Sequence, residues 1–199
     1  MKTFRFLVTV FAVIFSIVSI SGNSQAEPPK VGDEAPNFTV SSTLGHEIDY
    51  YRDYYGKHHL VLSFIANAFG PNCSDDIKGH GRVNYLYERL NTKVLVINRD
   101  DVETNRQFKE AHWFQFPFGS SVTARVGQVY GVYPNVVHHA RPRFLRKTFV
   151  IDKAGIIRYT HGGVFGDVKG ATPDYQEILN VLIDLEKEFQ QNEKVGGQS

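Results

Sequence analysis

One cysteine, Cys73, stands in a chain of 199 residues. It closes the stretch FIANAFGPNC and is followed by Ser74, Asp75 and Asp76. A lone cysteine closes no intramolecular disulfide, so it is inert, joined to another molecule, or kept as a free thiol. Its position bears on that choice. The residues before it are an apolar run and those after it read as a helix, so Cys73 falls where a buried strand gives way to a helix. Unpaired backbone N–H groups and the helix dipole favour the thiolate at such a junction, and the thiolate is the nucleophilic form. Asp75 and Asp76 oppose this if they face the sulfur, although acids in a first helical turn normally point to solvent. A nearby cation would tip the balance, and Arg146, at the start of RKTFVID, is the candidate. The plainer readings are a solvated Arg146 and a Cys73 that serves as a small buried hydrophobe.

Other chemistry finds less support. A zinc-thiolate site needs several Cys or His ligands at close spacing, and His80, seven residues past Cys73, completes no such pattern. No Cys-x-x-Cys is present, which disfavours thiol-disulfide exchange within the chain. His138, His139 and Arg141 lie in the loop PNVVHHARPRF before Arg146. They are read as a solvated polar loop, with metal or haem binding the lesser alternative. No cofactor and no metal is expected.

The elements that must position Cys73 follow from periodicity. NFTVSS and HEIDY predict an N-terminal β-hairpin joined through Leu44-Gly45. HLVLSFIA (59–66) reads as a central strand buried on both faces. A helix follows from Cys73 or Ser74 to Leu90. KVLVIN (93–98) is a second buried strand, and DDVETNRQFKEAH a helix with acids near its start. ARVGQVYGV reads as a short helix. KTFVIDKAGIIRYTHGG reads as two strands around a tight Asp-Lys-Ala-Gly turn. Thr172 is the predicted cap of a closing helix whose first residue is Pro173, with Ile178, Leu182, Leu185 and Phe189 on one face. This order predicts an α/β fold in which helices flank a mixed central β-sheet, an arrangement that resembles thioredoxin.

Composition agrees with one domain. The hydrophobic content is 42% and the net charge +1, which gives no sign of nucleic-acid binding. Residues 1–26 stand apart: Lys2 and Arg5 precede the apolar run 6–20, and Ser24 and Ala26 offer a small-residue cleavage site. They are read as a signal peptide cut after Ala26, giving an exported protein, periplasmic or extracellular. The alternative is a membrane tether formed by an uncleaved leader, although fifteen apolar residues are short for a span. Otherwise no stable membrane partner is expected. Residues 30–190 form the domain, and 191–199 read as a polar disordered tail.

VGDEAPNFTV, LVLSFIA running into GPNCS, DDVETNRQFKEA, VGQVYGV and FLRKTFVIDKAGIIRY occur in this order. Together they resemble the peroxiredoxins of the alkyl hydroperoxide reductase/thiol-specific antioxidant superfamily, nearest the bacterioferritin-comigratory branch. In that family the peroxidatic cysteine lies in Pro-x-x-x-Thr/Ser-x-x-Cys, and an arginine on a later strand supports it. The resemblance implies that Cys73 is the nucleophile and Arg146 the supporting arginine. It also implies a peroxide substrate, hydrogen peroxide or an organic hydroperoxide, and an external thiol or thioredoxin-like reductant. Two motif positions are degenerate: Ala66 stands for the proline and Gly70 for the Thr/Ser. Asp76 is a shorter version of the family's glutamate. Restoring threonine at position 70 is expected to raise the rate. The competing reading is a weakened redox sensor or binding module on the same scaffold.

Overall fold

A computed structural model describes residues 27–133, 143–164 and 171–196. The proposed leader and the pair His138-His139 with Arg141 lie outside the described residues.

Seven strands among the described residues form one mixed sheet. They are β1 (Thr39–Ser42), β2 (Glu47–Asp49), β3 (His59–Phe64), β4 (Thr92–Asn98), β5 (Phe118–Ser120), β6 (Lys147–Ile151) and β7 (Ile157–Gly162), in the spatial order β2-β1-β5-β4-β3-β6-β7. The central strands β3, β4 and β5 are parallel, and the outer pairings are antiparallel. The helices are α1 (Tyr50–Asp53), α2 (Pro71–Arg89), α3 (Val102–Ala111), α4 (Arg125–Val129) and α5 (Tyr175–Gly196).

Strand alternation divides the core in two. Leu60, Leu62 and Phe64 of β3 join Leu95, Ile97, Phe149 and Ile151 on one face. Val61, Val94, Val96 and Val150 face the other way, onto Ile77 and Tyr87 of α2, Phe108 of α3, and Ile178 and Leu182 of α5. Residues at i and i+2 share a sheet face, so both layers are full and every residue of β3 is buried. Cys73 belongs to the second layer.

Several boundaries differ from the sequence expectation. α2 begins at Pro71, because Gly70 takes the extended cap conformation and proline fits the first helical position. Cys73 is therefore inside the first turn. Thr172 does not cap α5. Asp174 accepts from the backbone N–H groups of Gln176 and Glu177, at 2.9 and 3.1 Å, and the Thr172 hydroxyl is drawn to Asp76 instead. α5 runs to Gly196, so most of the stretch read as a disordered tail is helical. Strand β5 and helix α1 escaped the sequence reading, being only three and four residues long. The β6–β7 turn is as expected: Gly155 has φ +85° and its N–H reaches the Asp152 carbonyl at 3.0 Å.

Candidate active site around Cys73

The turn from β3 to α2 carries Cys73 to the carboxyl end of the sheet. The Ala68 N–H donates to Asp100 Oδ2 at 2.6 Å, pinning the turn to the end of β4. The Ser74 N–H donates to the Gly70 carbonyl at 2.8 Å and closes the first helical turn. Cys73 is a free thiol, 3% exposed. It makes no hydrogen bond to a described residue.

One turn further on, α2 presents Asp76, on the same flank as Cys73 by the i, i+3 rule. Asp76 is buried. Arg146 Nε lies 2.9 Å from its Oδ2, but that N–H is not aimed at an acceptor, so the contact is ionic rather than a directed hydrogen bond. Arg146 Nη2 donates to Thr172 Oγ1 at 3.0 Å, and Thr172 donates in turn to Asp76 Oδ1 at 3.0 Å. The three side chains form a closed ring, with Thr172 on the solvent side. The Tyr175 hydroxyl donates to the Asp76 carbonyl at 2.8 Å.

Burial raises the Asp76 carboxyl to about 6, and the Arg146 charge and the Thr172 hydrogen bond pull the other way. An Asp76 carboxyl raised in this way is less firmly ionised than an exposed aspartate.

α2 also buries His80, which desolvation holds at about 3 and so keeps neutral. Its ring meets Tyr175 edge-on at 5.1 Å. Gly79 makes room for that tyrosine: a Cβ there would lie 2.0 Å from Tyr175 Cζ. The absence of a side chain at 79 thus lets Tyr175 lie against α2 and reach Asp76.

The degenerate positions precede the thiol on the β3–α2 turn. Ala66 is half-buried against the second core layer. Gly70 caps α2 without a side-chain hydrogen bond. A Cβ at position 70 would lie 2.6 Å from Asn67 Oδ1, and that oxygen accepts from Arg143 Nη1 at 3.1 Å. A threonine at 70 therefore fits only if Asn67 moves.

The structure thus brings Arg146 to the Cys73 turn through Asp76 rather than through the sulfur. The sequence reading took Thr172 only as a helix cap and passed over Tyr175 and the partnership of Asn67 with Arg143. Asp76 had been expected to point to solvent. Its spacing from Cys73 was the available signal, whereas Asp75 is the exposed one, 3.9 Å from Lys78.

Comparison with known proteins decides the family. The model of the AhpC/TSA family matches residues 31–160. The chain belongs to the AhpC/TSA family. Among relatives, the chloroplastic 2-Cys peroxiredoxin BAS1 of Spinacia oleracea is 29% identical over 152 residues, covering 71% of this chain. The chain spans about 56% of that relative's length. Peroxiredoxin Q of Oryza sativa is 24% identical over 172 residues, covering 85% of this chain and 75% of the relative. Among solved structures, peroxidoxin BcpB of Mycobacterium tuberculosis superposes with a TM-score of 0.69 at 20% identity, covering 78% of this chain and 97% of that one. A cysteine-to-serine mutant of Xylella fastidiosa PrxQ gives 0.68 at 22%, covering 80% and 98%. These likenesses agree with the mixed sheet flanked by helices and with the thioredoxin-like architecture of the AhpC/TSA fold.

Proposed function

We propose that this AhpC/TSA member is a one-cysteine thiol peroxidase that reduces hydrogen peroxide or organic hydroperoxides. The observation that carries this reading is the placement of Cys73 in the first turn of α2, with Asp76 and Arg146 paired one turn away. In the proposed reaction the Cys73 thiolate attacks one peroxide oxygen. An S–O bond forms, the O–O bond breaks, and the departing oxygen leaves as an alkoxide or hydroxide that takes up a proton. Sulfur is oxidised by two electrons to the sulfenic acid, and the peroxide is reduced to an alcohol or water. With no second cysteine in the chain, the cycle closes outside it. Two equivalents of an external thiol return Cys73 to the thiol, releasing water and a disulfide. Arg146 supplies positive charge beside the turn, and Asp76 fixes its direction.

Residues 1–26 support export of the mature protein, periplasmic or extracellular, and N-terminal sequencing of the exported material checks this. The second reading, a redox sensor or binding module, draws on Gly70, which has no hydroxyl to orient a peroxide. Stopped-flow mixing of the reduced protein with hydrogen peroxide and with an alkyl hydroperoxide, followed by trapping of the sulfenic acid, separates the two. A peroxidase forms the sulfenic acid far faster than a free cysteine thiolate does, and slows when Arg146 is replaced by alanine. A rate equal to that of free thiolate, indifferent to Arg146, leaves the sensor or binding module.

A further inference from the structure

We infer that Asn67 is a catalytic hydrogen-bond donor of the Cys73 site and that Arg143 positions it; this rests on the peroxidase reading. Gly70 occupies the cap position of α2, whose side chain ordinarily reaches over the first turn toward the second or third helical residue. Cys73 is that third residue. At Gly70 the volume where such a side chain would begin is taken by the Asn67 carboxamide. From an ideal Cβ at position 70, Asn67 Oδ1 lies at 2.6 Å, Cγ at 3.2 Å and Nδ2 at 3.3 Å.

The orientation of the carboxamide follows from its neighbour. Arg143 Nη1 donates to Oδ1 at 3.1 Å, and a guanidinium only donates. The oxygen therefore faces Arg143, which leaves the Nδ2 amino group without an acceptor among the described residues. Asn67 is half-buried, so part of it stays open to a small solute.

The chemistry of the step gives this arrangement a use. As the O–O bond breaks, negative charge grows on the departing oxygen. A donor already in place and not committed elsewhere stabilises that charge without reorganising. The Asn67 Nδ2–H group is such a donor, and the Arg143 guanidinium polarises the amide that carries it. In this chain the polar group beside the α2 cap thus comes from position 67 rather than from position 70.

The test compares sulfenic acid formation from hydrogen peroxide with alkylation of Cys73 by iodoacetamide. Alkylation needs the thiolate but no stabilised oxygen leaving group. Asn67→Ala should slow the peroxide reaction by roughly 10²-fold, as loss of one such donor does in other enzymes, and leave alkylation unchanged. Arg143→Ala should slow the same reaction less and also spare alkylation. Gly70→Thr alone should give little gain, because it displaces Asn67. Combined with Asn67→Ala it should restore most of the lost rate, since threonine then enters vacated space. The inference is overturned if Asn67→Ala reacts with peroxide as fast as the unaltered chain. An equal loss in both reactions also overturns it, because the defect would then lie in the thiol or its fold. If the unaltered chain is itself no faster than free thiolate, the peroxidase reading falls and this inference falls with it.

Discussion

The two sides of the Cys73 turn are built differently. Past the thiol, Asp76, Arg146 and Thr172 close a ring of polar contacts around a carboxylate buried in the molecule, and Tyr175 locks the backbone beneath it. Before the thiol, residues 66–70 offer two alanines, of which Ala68 is buried, a half-buried asparagine held by one surface arginine, a 55% exposed Phe69 and a glycine. The first side is held by the fold itself, because removing Arg146 strands the buried Asp76. On the second, Ala66, Asn67 and Gly70 hold no buried charge, so these three can change at little cost to stability. Both departures from the family motif, Ala66 and Gly70, lie on that second side.

The largest effect tests the locked side. Arg146→Ala leaves the Asp76 carboxylate buried without its counter-charge, and breaking a buried pair in this way costs about 3–5 kcal/mol. Urea unfolding at pH 7.5 measures it. A loss of about 1 kcal/mol or less would mean that water reaches Asp76 and that the contrast between the two sides is weak.

A smaller effect is set by the titration of Asp76. Its carboxyl is raised from 3.8 to about 6 by burial, so between these values the folded chain binds more protons than the unfolded one. Stability from this group is thus complete below about pH 4 and is lost as pH rises through 6. The change amounts to roughly 2–3 kcal/mol for a shift of about two pH units. Urea midpoints collected from pH 4 to 7.5 should carry this slope, and Asp76→Asn should flatten it. An unchanged slope in the variant would assign the titration to another group. The same comparison made on the peroxide rate shows whether an ionised Asp76 is needed to hold Arg146 in place.

The sequence made some of this visible and hid the rest for physical reasons. The apolar run of β3 and the Gly-Pro after it mark the strand-to-helix junction, because a strand buried on both faces admits few polar residues. The β6–β7 turn is legible for a similar reason: Gly155 supplies a positive φ within a short local pattern. Thr172 misled because capping is judged from neighbours, whereas its hydroxyl answers to Asp76, 96 residues away in the chain. Asp76 looked like a solvated acid near a helix start, and only the packing of Arg146 and Tyr175 from later elements shows it to be buried. The role of Asn67 turns on an empty volume at Gly70, and a missing side chain says nothing about which neighbour fills the space.

The smallest effect tests the open side. Asn67 makes its one described hydrogen bond to Arg143, itself exposed. A half-buried amide whose one described contact is to an exposed arginine contributes little to the fold, so Asn67→Ala should change the unfolding free energy by no more than about 0.5 kcal/mol. Urea unfolding under the conditions used for Arg146→Ala gives the direct contrast. A loss above about 2 kcal/mol would make Asn67 a structural support of the turn and remove the distinction between the two sides. Near-neutral stability together with a slowed peroxide reaction would sharpen it: the residue would then act on what enters the site, whereas Arg146 also holds the site together.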